Sequence, residues 1–553
     1  MDKGTGVNPL IQDKGSEEPP NLGRFVYQKL RTPSLNGETL QIPLLSKVGE
    51  LWQENLGRIA CGSSTRFDRP LNELQTLGRS ELISSALKYS GEYLDGVPLV
   101  SSRNIIMSGH QPELFHPGVW YKNFVLSELA MRQNALAVNL VVDSDLCSQP
   151  SVSFPNNAGS EPGWKETRLE SVAMDAIGEE VPYEARPVID WKLFESFGAR
   201  LSQRLSREEP RSLAERLWNH VNVATARMKG QPTPCLGHLI AAGRHRLESE
   251  YGLQTLELPI GHLAETSAFA CFFKSIISAA DEFRLIHNAV LDEYRGVHRI
   301  RSESHPVPKL ATHDGWIEVP FWVWSHAERR RRRLHVRLRG DQVVLSDLSG
   351  WEYPSSLAAV GRHLSVLKKL GVLIRPRALT TTLFSRLVLS DLFLHGMGGA
   401  KYDQLTDMIA QRFFEQKLPS YLTLTATMQL PSSFDLVSRT ELIGLDRELR
   451  ELKFHPERFI HDPSEAVADL ISQKKSWACG AAASQRTRER HVAIKRLNRQ
   501  LAVYASPSVA SIEKRRVDRA EKKRASEILS SREFSFCLFD ASIMDELKRL
   551  ACF

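Results

Sequence analysis

Paired cysteines are missing from this chain. Its seven cysteines (Cys61, Cys147, Cys235, Cys271, Cys479, Cys537 and Cys552) are odd in number, scattered and never spaced as CxxC. That argues against a disulfide framework and a zinc site, so no metal is expected. Long apolar runs are missing too. None reaches the ~18 residues that a membrane span needs. The first residues carry Asp2, Glu17 and Glu18 where a leader peptide would have an apolar core. A cytoplasmic protein without membrane contact is expected. Excess charge of one sign is scarce as well. The formal balance is +7 over 553 residues, which permits an anionic ligand and does not call for nucleic acid. What is present is ordinary for a globular chain, 42% hydrophobic and 25% charged residues. The length suggests about two to four domains.

Read in order, Met1 to Pro43 is rich in Gly, Pro, Asn and Ser and predicts a mobile or wrapping arm. Leu44 to Tyr93 has amphipathic helical spacing and no evident chemistry. Ile105 to Met107 and Val138 to Val142 are apolar runs that read as buried parallel strands, with Leu256 to Leu258 a third. Residues 148–233 read as an insertion of loops and helices. Within a second insertion, 300–370, Trp316 to Leu345 predicts a three-stranded meander and Ser355 to Leu370 a helix. The five arginines Arg329 to Arg333 fall at a hairpin tip, read as solvated or as an anion-facing edge. From residue 433 the chain is helical and charged. Arg486 to Leu501 and Ile512 to Leu529 predict a coiled-coil hairpin used for self-association, giving a homodimer. The expected divisions are therefore 1–95, 96–432 and 433–553.

One stretch concentrates the chemistry: Ser101 to Leu129, SSRNIIMSGHQPELFHPGVWYKNFVLSEL. A strand, a Gly/His loop and a helix start form the layout of a ligand-binding turn in an open α/β sheet. Backbone N–H groups at the helix start can face an anion. His110, Gln111 and His116 can exchange protons or hydrogen bonds, and Gly109, Gly118 and Lys122 can admit and neutralise the anion. Asp143 and Asp145 emerge from the next strand, on the same edge. A second glycine-rich turn, Gly396, Gly398 and Gly399 with Lys401 and Tyr402, is a further candidate anion loop, although it matches neither the Walker nor the GxGxxG pattern. Cys147 has no base tied to it by motif. These residues suit activation of a carboxylate by a phosphate leaving group, with Asp143 or Asp145 taking the proton of an incoming amine. The competing readings are a catalytically altered nucleotide- or metabolite-binding dimer of the same fold and a nucleotidyl-transferring enzyme.

The chain also resembles the bacillithiol-biosynthesis cysteine-adding enzymes. The resemblance rests on Gly109 to Trp120, on the strand ending in Asp143-Ser144-Asp145, and on Arg375-Pro376 followed by Gly396-Met397-Gly398 and Tyr402. It covers roughly Ile105 to the end. His110 replaces a glutamine of the family loop, and Val142 and Ser144 stand where the family has Glu and His. The resemblance implies a Rossmann-like parallel sheet core with two insertions, a C-terminal coiled coil used for dimerisation, and a nucleotide site for ATP or ADP. It implies an activity that joins cysteine to the amine of an amino-sugar conjugate, with Arg375 near the site.

Overall fold

The computed structural model describes the chain except residues 1–24, 28, 29, 61, 63, 101, 148, 149, 157–166, 206–211, 231–233, 432–438, 480–486 and 553. Most of the expected N-terminal arm, part of the loop-rich insertion and the start of the expected hairpin at Arg486 thus lie outside the described residues. The protein is mixed α/β and divides into two compact units. The first is Met1–Val152, Val172–Met428 and Ser535–Phe553, and the second is Ser153–Ser171 with Gln429–Phe534. Among the described residues no helix is long and apolar enough to cross a membrane.

The first unit is built on a six-stranded sheet. Its order is Thr39–Ile42, Tyr421–Ala426, Leu392–His395, Ile105–His110, Leu136–Val141, Leu256–Pro259. The last five are mutually parallel, and Thr39–Ile42 closes one edge antiparallel to Tyr421–Ala426. The three predicted strands are therefore neighbours. Ile105, Ile106, Met107, Val138 and Leu256 are all 0% exposed, so their continuous apolar runs reflect burial on both faces. From Ile105–His110 the chain builds outward through 136–141 and 256–259, then returns to the other side with 392–395 and 421–426. Strand order thus reverses between Ile105–His110 and Leu392–His395.

The helix Pro117–Arg132 joins the first two parallel strands. Pro117 starts it, where a missing N–H costs nothing. His116 caps it, its Nδ1 accepting from the Gly118 N–H at 2.9 Å. A β-carbon on Gly118 would overlap the carbonyl oxygen of Ala426, so only glycine lets the helix start this close to the end of Tyr421–Ala426. A buried polar network ties this helix to Leu236–Glu250 and to Leu256–Pro259. Arg244 donates to Glu248 at 2.7 Å and to Glu257 at 2.5 Å. Glu248 also accepts from Trp120 and Asn123, and Glu257 from Asn139.

The meander is larger than predicted. Glu352–Ser356, Gln342–Ser346, Arg332–Arg339, Trp316–Ser325 and Val372–Pro376 form one antiparallel sheet. The helix expected over 355–370 shrinks to His363–Lys369, because Glu352–Ser356 is taken up as a strand. Arg375-Pro376 ends an edge strand, a place that tolerates proline.

In the second unit the predicted hairpin gives way to a different pairing. Thr487–Tyr504 and Ser506–Leu529 are separated by Ala505 alone. One residue is too short to turn a helix back along its predecessor; such connections take about 2–8 residues. Thr487–Tyr504 packs instead on Glu465–Cys479, and Ser506–Leu529 on Arg439–Phe454. Leu445, Leu452 and Ile512 form the core between the latter pair, with Leu449 and Phe459 against it. On Thr487–Tyr504, Val492 is 60% exposed, while Leu497 and Leu501 are buried.

Candidate functional site

Ligands of open parallel sheets sit at the carboxyl ends of the strands, where strand order reverses. Here Gly109 and His110 leave one strand at that point and His395 and Gly396 leave the other. Lys122, projecting from the second turn of Pro117–Arg132, lies between them. Its Nζ donates to the Gly109 carbonyl at 3.1 Å. Its Cε stands 3.9 Å from where a β-carbon on Gly396 would be. Lys122 is 3% exposed, and burial, assisted by the Arg244 cation, pushes its ammonium down to about 8. Gly396 is the N-cap of the helix Met397–Phe413, whose N-terminus therefore faces the same place.

His110 is half-buried and packs edge-on against Phe115 at 4.7 Å. Burial, then the Lys122 cation, pushes its imidazole down to about 3, so it is neutral near pH 7. Nδ1 faces the Gln111 carbonyl at 3.3 Å. A carbonyl only accepts, so Nδ1 carries the hydrogen and Nε2 the lone pair. The positive charge of this loop thus belongs to Lys122, and His110 is a neutral imidazole whose Nε2 can accept a hydrogen bond.

Gln111 donates to Asp145 at 2.7 Å. Asp145 also accepts from Arg331 at 3.0 Å, and Arg331 donates further to the Ser144 carbonyl at 2.8 Å. The Arg331 guanidinium lies 4.4 Å from the centre of the Trp322 ring, as does that of Arg377. Tyr402 is within electrostatic reach of Asp145; burial first, then Asp403 and Asp145, pushes its hydroxyl up to about 12. The structure thus brings Gly109, His110, Gln111, Lys122, Asp145, Gly396 and Tyr402 to one edge.

Other expected site residues are used differently. His116 is 4% exposed and has Nδ1 on Gly118 and Nε2 on the Met428 carbonyl at 2.8 Å, so it is a helix cap and a tie and not a proton carrier. Gly118 is a packing glycine. Asp143 is 0% exposed and turns inward, accepting from His238 at 2.9 Å and from the Gly261 N–H at 3.0 Å. Arg375 is buried on Glu184, with Nε 3.0 Å from its carboxylate. Gly398 and Lys401 are exposed, and Gly399 packs on His395.

Sequence reading missed two groups. His395 ends its strand with Nε2 2.8 Å from Asp403. Burial opposes charge on Asp403, but Arg386 at 2.6 Å and His395 hold it ionised well below the usual carboxylate range. His395 therefore donates through Nε2 and keeps its lone pair on Nδ1, beside Gly399. Arg386 and Asp403 lie on different elements, with the strand Leu392–His395 between them, so no local spacing marks the pair. The second group is Arg331, hidden in an arginine run that reads as a solvated tip.

The edge combines a buried ammonium, a helix N-terminus, two neutral imidazoles and a carboxylate held by Gln111 and Arg331. Such a set can hold an anion and accept a proton beside it. Among the described residues, no group of three or more His, Cys, Asp or Glu is arranged to hold a metal ion. Comparison with protein-family models finds no match to this chain, and comparison with curated proteins finds none either.

Proposed function

We propose that the chain is an amide-forming ligase of the cysteine-adding type, which activates a carboxylate with ATP at this edge of a Rossmann-like core. The observation that carries the reading is Lys122, buried on the Gly109 carbonyl beside the Gly396 helix start. An ammonium and free N–H groups converging from two strands suit the phosphates of a nucleotide. A carboxylate oxygen attacks the terminal phosphorus, ADP leaves, and the acyl phosphate forms. The amine then bonds to the acyl carbon, inorganic phosphate leaves, and the amine proton passes to a base. Asp145 is the candidate for that base.

Titration with ATP and ADP tests the nucleotide site. Lys122→Met is expected to weaken ATP binding about tenfold or more, the usual effect of losing a charge-assisted contact. Only protonated Lys122 attracts phosphate, so affinity should fall as pH rises through about 8. Lys122→Arg, which stays charged, should remove that fall. Unchanged affinity in Lys122→Met would refute the site. Product formation from cysteine and an amino-sugar conjugate tests the reaction; nucleotide binding without product would reduce the protein to the binding class.

The proposed partner is a second copy of the chain. Val492, Val503, Tyr504 and Val517 are more than half exposed on the two basic helices, apolar side chains that a second copy would cover. Sedimentation of the double variant Val503→Asp, Val517→Asp should give a monomer where the wild type gives a dimer. A wild-type monomer would end this part of the proposal.

A further inference from the structure

Next to the nucleotide edge, and independent of it, lies a second cluster of reactive side chains. Cys235 is the N-cap of Leu236–Glu250, and its side chain does not cap the helix. His238 stands three residues on, at the third helical position, whose side chain lies next to that of the N-cap. His238 Nε2 is 2.9 Å from the Asp143 carboxylate, which leaves Nδ1 for the thiol. Asp143 is in turn fixed by the Gly261 N–H at 3.0 Å. Thiol, imidazole and carboxylate thus stand in series. Burial disfavours charge on His238, but Cys235 and Asp143 together raise its proton affinity well above the ordinary value.

A further group points to a ligand. Tyr89 is 2% exposed, and its hydroxyl is buried without a hydrogen-bond partner. Its ring stands edge-on to His238 at 5.8 Å and to His262 at 5.4 Å, and its hydroxyl is within electrostatic reach of Cys235 and Asp143. The other ionisable groups around the cluster are Tyr93 and Glu257, both beside Tyr89, with Glu92, His262 and the Glu184–Arg375 pair. Cys235 is 6% exposed and Asp143 0%; the cluster reaches solvent through His262, which is exposed, and the His238 side chain, 16% exposed.

We infer that Cys235, His238 and Asp143 form a nucleophilic triad for acyl transfer, with the Tyr89 hydroxyl as the donor that meets the developing oxyanion. The Cys235 proton passes to His238 as sulfur bonds to the acyl carbon of an ester or amide. The tetrahedral intermediate collapses, the bond to the alcohol or amine breaks, and the leaving group takes the proton from His238. Water then adds to the thioester, giving up a proton to His238, and its collapse returns that proton to sulfur and releases the acid. Asp143 positions His238 and stabilises its cation.

Two probes on the full chain test this. Iodoacetamide labelling at pH 6.5, read by peptide mass spectrometry, compares Cys235 with the exposed Cys479 and Cys552. Cys235 is expected to react about tenfold faster or more, because its proton has an acceptor. His238→Gln should abolish that advantage and return the pH–rate profile to that of an ordinary thiol. With 4-nitrophenyl acetate, the wild type should release about one equivalent of nitrophenol per chain in a burst that Cys235→Ala lacks. Tyr89→Phe should slow the burst and leave iodoacetamide labelling unchanged, which separates the oxyanion role from a packing role. Wild-type Cys235 reacting no faster than Cys479, or a burst retained in Cys235→Ala, would overturn the triad whether or not the His238 variant folds.

Discussion

Arg244→Ala is expected to lower the unfolding free energy by about 3–5 kcal/mol, the usual result of removing one partner from a buried ion network. Arg244 is 3% exposed, Glu248 1% and Glu257 0%. Without the guanidinium, two carboxylates remain in the interior, with Trp120, Asn123 and Asn139 as hydrogen-bond donors and His245 4.0 Å from Glu257. One Glu257 oxygen already has no hydrogen-bond partner. Chemical denaturation followed by tryptophan fluorescence reads the loss. The deficit should shrink as pH falls toward 5, because the orphaned carboxylates can then be protonated in the folded state. Adding Glu248→Gln and Glu257→Gln should recover part of the stability at neutral pH. A loss below about 1 kcal/mol would mean that the network is hydrated and that the helix is held by apolar packing alone.

Gly118→Ala is expected to cost about 3 kcal/mol or more, at the upper end of overpacking penalties, because the obstacle is backbone. The new methyl would overlap the Ala426 carbonyl, and both the helix start and the strand end would have to separate. His116 spans the same junction to Met428, so its cap would be strained as well. Gly398→Ala is the matched control. A β-carbon there meets nothing within 4 Å, and alanine in a first helical turn should be neutral or stabilising by up to ~1 kcal/mol. Thermal unfolding of the two variants side by side distinguishes them. Equal melting temperatures would show that the junction is loose. The two glycines look alike in sequence, and only their neighbours separate them.

Acid stability gives a further check. His287 is 5% exposed, and burial pushes it down to about 4. Its folded value lies below the ordinary 6.5, so the unfolded chain binds the extra proton first. Its stabilisation is complete above about 6.5 and is lost as pH falls toward 4. His287→Gln should flatten the melting-temperature profile in that window, and a wild-type profile already flat there would contradict this burial.

The apolar runs around Met107 and Val138 were legible because a strand covered on both faces must be apolar throughout. The helices Val48–Ala60 and Leu71–Gly91 were legible from their amphipathic spacing within Leu44 to Tyr93. Glu352–Ser356 was not, since a five-residue edge strand containing Pro354 has no alternation to read. Thr39–Ile42 is likewise only four residues of mixed burial. The helical pairing in the second unit was misread because periodicity marks an apolar stripe but does not name its partner; Ala505 decided that by being too short a link.

The composition and order of residues determined by themselves that this is an α/β chain, that residues 109–111, 122 and 145 lie near one sheet edge, and that paired cysteines do not organise it. Local signals suffice there, because burial and backbone sterics act over a few residues. Tertiary structure decided which polar residues are chemical and which are structural. Asp143 and Asp145 are two residues apart, yet one is 0% exposed on His238 and the other is partly exposed on Gln111 and Arg331. The hydrogen-bond partners that set those roles come from positions 95 and 186 residues further along the chain. Proton affinity depends on the charges and solvent around a group, and folding alone brings those neighbours together.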